Sequence, residues 1–245
     1  LNEPLQLLYG SEFRFEGQGT LVAIARDLES WGDLCSFITA CRRAAPKGEY
    51  RLPPLADALA ALRRCERLLA PDRSTSGREL VAIQKIADCA RQSSAAGYFD
   101  TKSASLHLLT ELHARADDAL WLARLRALSE ATGCPLVAAG DVHMHVRSRK
   151  RLHDVMTAIR VGKPVHACGF ELQANAERHL RPRARLGDIF PPDVLAATLA
   201  VARRCTFRLE EVQYNYPQEA VIQGLTPTET LRRLTLEGAA QRYPK

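Results

Sequence analysis

The chain has 245 residues, 46% hydrophobic and 25% charged, with a formal charge of +6 and a pI near 9.1. This is the composition of an ordinary soluble globular protein, long enough for one large domain or a domain with an appendage. No apolar run approaches the ~18 residues of a membrane span and no signal peptide is read, so no membrane partner and a cytoplasmic location are expected. The seven cysteines are widely spaced without a Cys-x-x-Cys pair, which predicts reduced thiols. Mild basicity is compatible with a nucleic-acid partner without requiring one. The chain opens at Leu1 inside an apolar stretch and reads as a fragment.

The first predicted elements are strands over 5–15 and 20–25, separated by the Gly17-Gln-Gly19 turn. Glu12 lies just past the apolar part of the first strand and by itself reads as a rim carboxylate. Ser30 is the expected cap of a helix through about Arg43, with Trp31, Leu34, Phe37 and Ile38 on one face. After a Pro/Gly-rich loop, a short helix is expected over 55–64, a strand over 65–71 and a helix over 78–91. A further strand spans 106–112, flanked by His107 and His113, either of which is a candidate ligand. Asp117 and Asp118 favour the start of the next helix. Leu120, Leu125 and Leu128 form its stripe, and Gly133 ends it.

Residues 135–145 concentrate the chemistry. A short buried strand, 136–140, runs into Asp141, His143 and His145 at two-residue spacing. In extended chain those three side chains would share a face. Carboxylate and imidazole suit Zn²⁺, Mn²⁺ or Fe²⁺. Ser148 is the expected cap of a helix carrying Leu152, Val155, Met156 and Ile159, stopped by Gly162. The β, α, β, α alternation predicts an α/β fold with a mostly parallel sheet or barrel, its ligands at the carboxyl ends of strands.

Beyond about residue 164 the pattern becomes helical. Residues 174–186 hold Arg178, Arg181, Arg183 and Arg185 beside His179, candidates for phosphate contact. Pro191-Pro192 precedes a predicted helix from Asp193 to Arg204. Thr226-Pro-Thr-Glu229 is a capping box opening another that reaches Gln241.

Several blocks together resemble bacterial C-family DNA polymerases of the error-prone DnaE-like subtype. They include Gly10-Ser-Glu-Phe13, Leu21-Val-Ala-Ile-Ala-Arg-Asp27 and Lys47-Gly-Glu-Tyr50. The most distinctive are Asp141-Val-His-Met-His145 and Asn175-Ala-Glu-Arg-His-Leu-Arg-Pro182. The resemblance covers nearly the whole chain and is poorest over 65–105.

It implies a polymerase-and-histidinol-phosphatase (PHP) domain, a distorted β/α barrel incomplete at its N-terminus. Residues 1–165 would hold most of that domain. Residues 166–245 would close it and lead helically towards a polymerase palm. By the resemblance, Glu12, Asp141 and His143 are metal ligands and Cys65 stands near a further ligand position, with Zn²⁺ or Mn²⁺ as the ion. A ligand histidine of metal-competent relatives is replaced by Thr20, and the family's first His-x-His motif would precede Leu1. The implied parent copies damaged DNA from deoxynucleoside triphosphates using Mg²⁺, alongside other mutagenesis or replisome proteins. The polymerase carboxylates would lie downstream of Lys245, so this part is expected to serve mainly as a scaffold. The alternative is a metal-dependent phosphoesterase or 3′–5′ exonuclease in the PHP domain itself, or a free-standing phosphatase.

Overall fold

The computed structural model describes residues 5–73, 106–213 and 221–243; the helix expected over 78–91 lies outside them. The described strands form one sheet in the order β1 (Gly10–Phe15), β2 (Gly19–Ile24), β3 (Glu66–Ala70), β4 (Leu106–Glu111), β5 (Leu136–Ala139). β1, β2 and β3 pair antiparallel, whereas β3, β4 and β5 run parallel. The architecture is therefore mixed α/β, as the alternation predicts, but the sheet is not mostly parallel: the pairings of β1 with β2 and of β2 with β3 are antiparallel. Gly19 makes the first hairpin possible: its φ is +107°, and a Cβ there would meet the Ala70 carbonyl at 2.2 Å.

Strand alternation sorts the side chains onto two faces. One face carries Phe13, Phe15, Leu21, Leu69, Leu108 and Leu136. It packs against α1 (Leu28–Arg43), α2 (Leu55–Ala61) and α3 (Asp118–Thr132) through residues such as Phe37, Leu59 and Leu125. Each fully buried Leu there contributes about 1.5–3 kcal/mol. The other face carries Leu68, Leu109 and Val137, which meet Val201 and Cys205 at the end of the helix Pro192–Arg204.

Helix ends follow side-chain chemistry, with two corrections to the sequence reading. Asp27, not Ser30, caps α1. Its carboxylate accepts from the Ser30 amide at 2.8 Å, while the Ser30 hydroxyl accepts from the Asp27 amide. Ser148 caps nothing: it sits inside a 3-10 turn, Arg147–Arg149, ahead of α4 (Lys150–Val161). Gly133 and Gly162 end α3 and α4 at φ +69° and +71°, as expected of left-handed stops. On α3, Trp121 is buried and Leu120 is exposed, so the inward stripe is Trp121, Leu125 and Leu128.

Two further helices follow, α5 (Arg183–Ile189) and α6 (Pro192–Arg204). At the amino end of the parallel strands, Arg204 of α6 reaches buried Glu66 with two donors at 2.6 and 2.9 Å and points a third contact at His107 Nε2, 3.2 Å away. The chain divides into two compact units, Leu1–Leu209 and Glu210–Lys245. In the second, α7 (Pro227–Arg242) opens with the expected Thr226–Glu229 capping box. Among the described residues no helix is long and apolar enough to cross a membrane, and Cys35, Cys41, Cys65, Cys134, Cys168 and Cys205 are free thiols.

Candidate functional site

A cleft of about 1250 Å³ lies over the second face of the sheet, towards the carboxyl ends of the parallel strands. Its position follows from the register. Glu12 pairs with Val22, and Glu111 with Ala139, so alternation points both carboxylates to that face. Thr20 lines the same cleft. Glu111 was not singled out from sequence. The signal that could have found it is an acid closing an apolar strand one neighbour away from the strand that carries Asp141.

The expected strand-like alternation of Asp141, His143 and His145 does not occur. β5 stops at Ala139, and Asp141 takes a left-handed conformation, φ +39°, so the period-two rule ends there. Asp141 and His143 nevertheless meet: His143 Nε2 lies 2.9 Å from Asp141 Oδ1. His143 Nδ1 lies 3.2 Å from Nε2 of His153, on α4. A carboxylate at Asp141 assigns the proton to His143 Nε2, leaving Nδ1 to accept from His153. The His153 Nδ1 atom is buried with no hydrogen-bond partner. His145 is exposed and does not line the cleft.

The two distinctive motif blocks lie side by side. The Arg178 carbonyl accepts from the amides of His143 and Met144 at 2.9 and 3.1 Å, and the Leu180 amide returns to the Met144 carbonyl at 3.0 Å. Asn175 donates to the His113 carbonyl at 2.7 Å, and Arg181 to the Leu112 carbonyl at 3.0 Å. The 175–182 segment is thus stitched onto the strand ends. This places the Arg178 guanidinium on the second Asp141 carboxylate oxygen.

Charge in the cleft is closely matched. Arg14 donates to Glu12 at 3.0 Å. Burial pushes the Glu111 carboxyl up from its ordinary value, against the pull of Arg178 and Arg73. Burial lowers Arg178 and His113. Neutral His113 holds Nε2 2.9 Å from the Gly140 carbonyl.

The candidate metal ligands do not fit a resident ion in this arrangement. Asp141 is committed to Arg178 and His143, and Glu12 to Arg14. Cys65 stands just before β3, at the opposite end of the parallel strands from Asp141. Its thiol faces the Ser30 carbonyl at 3.3 Å, and burial pushes it up to about 12, so it is a neutral S–H rather than a thiolate. Among the described residues no group of three His, Cys, Asp or Glu is arranged to hold a metal. The Arg178 guanidinium pairs with the Asp141 carboxylate, and that pairing competes with a cation there. Nor do the candidate nucleic-acid residues share one surface. Arg178 lines the cleft and Arg181 is buried over the Phe190 ring, whereas Arg183 and Arg185 are exposed on α5.

No family model matches the chain. Curated relatives named error-prone DNA polymerase match it from end to end. The Azoarcus sp. (strain BH72) protein is 40% identical over 247 residues, 99% of this chain and 22% of the relative. That of Methylococcus capsulatus (strain Bath) is 40% identical over 240 residues, and that of Pseudomonas aeruginosa (strain PAO1) 42% identical over 240 residues. Each of these two alignments takes in 98% of this chain and 22% of the relative. The resemblance read from the motifs therefore holds over the whole chain, which spans about a fifth of the length of these error-prone DNA polymerases.

Proposed function

We propose that this chain is a segment of an error-prone DNA polymerase and acts there as a PHP-type scaffold rather than as a hydrolase. Residues 1–165 supply most of a PHP-like α/β domain whose barrel is incomplete. Residues 166–245 complete it and connect helically towards the palm. Nucleotidyl transfer on damaged DNA, with Mg²⁺ and deoxynucleoside triphosphates, belongs to the other four fifths of the polymerase. Exposed Arg183 and Arg185 are the residues here best placed to touch duplex phosphates, and contacts with other mutagenesis or replisome proteins in the cytoplasm fit the same role.

The observation that carries the scaffold reading is the Arg178–Asp141 pair. A guanidinium neutralises the carboxylate that a hydrolytic metal would need, and it cannot lose its charge at working pH. The competing reading is a metal-dependent phosphoesterase or 3′–5′ exonuclease. It rests on Glu12, Glu111, Asp141, His143 and His153 lining one cleft.

Asp141→Ala in the intact polymerase decides between them. We expect primer extension past a lesion to survive within a few-fold, and no nuclease activity with Mn²⁺ or Zn²⁺ in either form. Loss of a wild-type nuclease activity in Asp141→Ala would establish the hydrolase. Absence of primer extension by the wild-type protein would remove the polymerase reading altogether.

A further inference from the structure

Helix α4 is mounted the wrong way round for a helix at the surface of an isolated domain. Its apolar residues Leu152, Val155, Met156 and Ile159 follow the i, i+3, i+4, i+7 spacing that normally marks the side facing a core. Yet they are 50%, 44%, 61% and 75% exposed, while Thr157 and Ala158 on the opposite side are buried. At 100° per residue the stripe is about 100° wide, and Thr157 and Ala158 flank the direction opposite to it.

The inversion is held by a polar contact: His153 on the helix meets His143 at the strand end. Turning the stripe inward would break that contact and carry Arg160, which lines the cleft beside His153 and Thr157, out of it. The four side chains form a contiguous exposed apolar stripe, of the kind that on monomers often marks an interaction site. Just beyond the helix, Val165 is 39% exposed and Phe170 fully so.

We infer that the outward face of α4 is the docking surface for the remainder of the same polymerase polypeptide, which rests on the polymerase reading above. The relatives are more than four times as long as the part this chain matches, so most of such a polymerase lies outside it. An intramolecular partner also removes the association cost that a patch of this size would struggle to meet between separate molecules. The complementary surface is apolar, with an acidic group at its edge facing exposed Arg151.

The test places a benzophenone photocrosslinker at position 159 of the intact polymerase and maps the products by mass spectrometry. Primer extension is measured on the same preparation, so failure of the polymerase reading registers separately from the crosslinks. The expected product is an intramolecular crosslink to a peptide outside residues 1–245. A crosslink to a second copy, to another protein or back within residues 1–245, or no crosslink at all, would overturn the inference. Met156→Glu supplies the second readout. It should lower the melting temperature of the intact polymerase by several degrees and leave that of this chain within about one degree; equal shifts in the two would count against docking.

Discussion

Helices α3 and α4 carry similar apolar stripes and use them in opposite ways. α3 turns Trp121, Leu125 and Leu128 onto the sheet, and Arg73 lies over the outer edge of the Trp121 ring at 5.5 Å from its centroid. α4 turns Leu152, Val155, Met156 and Ile159 away from it. The spacing is the same, so hydrophobic periodicity alone does not decide orientation. What differs is the polar side. α3 has exposed Glu130 and Arg126 opposite its stripe. α4 instead sets His153 there, in contact with His143. A single anchored polar group competes with an apolar stripe when the sheet face beneath is itself lined by carboxylates and guanidinium groups, as it is in the cleft.

The largest expected effect lies on α3. Leu125 is 1% exposed within the main core, and Leu125→Ala should destabilise the chain by about 2–5 kcal/mol in urea unfolding. A loss below about 1 kcal/mol would mean that α3 does not hold the sheet as described. Acid should produce the next effect. Burial lowers His107 and His113 from their ordinary value, so the fold keeps both neutral while the unfolded chain takes up protons near pH 6.5. Their stabilising contribution is complete above that pH and is lost as the pH falls towards the lowered folded values. The melting temperature should therefore drop between about pH 7 and 5, and His107→Gln should flatten part of the drop. His107 accepts from Arg204 only when neutral, which ties the titration to a named contact.

Smaller again is His153→Ala, which frees α4 from the cleft and should cost about 1–2 kcal/mol. If it stabilised the chain instead, the helix would be held outward by something other than this contact.

Element positions were largely legible, because they rest on local patterns. The β1–β2 hairpin follows its glycines, Gly133 and Gly162 end their helices, and the Thr226 capping box opens α7. Legibility failed where a residue was read without its near neighbours, and where the outcome depends on partners far away in sequence. Asp27 takes the α1 cap from Ser30 because the two residues satisfy each other's backbone groups, which either residue alone would not reveal. The alternation that gathered Asp141, His143 and His145 holds only in extended chain, and the left-handed turn at Asp141 ends it. Glu12, Asp141 and His143 do line one cleft, but Cys65 lies at the far end of the strands. Arg178 and Arg181 read as a surface charge run until hydrogen bonds from the Asn175 and Arg181 side chains, and to the Arg178 carbonyl, draw their segment onto the strand ends. Guanidinium pairing at Asp141 could not be inferred from either motif block alone, since it arises only from their adjacency.

The smallest effect is the sharpest test of the contrast between the two helices. Ile159 is 75% exposed, so exchanging it for Ser removes apolar surface that the folded chain already leaves in water. Little transfer free energy is at stake, and the slightly lower helix propensity of Ser is of the order of a few tenths of a kcal/mol. Ile159→Ser should thus leave urea unfolding of this chain within about 0.5 kcal/mol of wild type. A loss approaching that of Leu125→Ala would show that α4 buries its stripe after all. The contrast with α3 would then vanish, and with it the reason to look for a partner on that face. Unchanged stability accompanied by higher solubility would instead mark the stripe as free apolar surface, available for another part of the polymerase to cover.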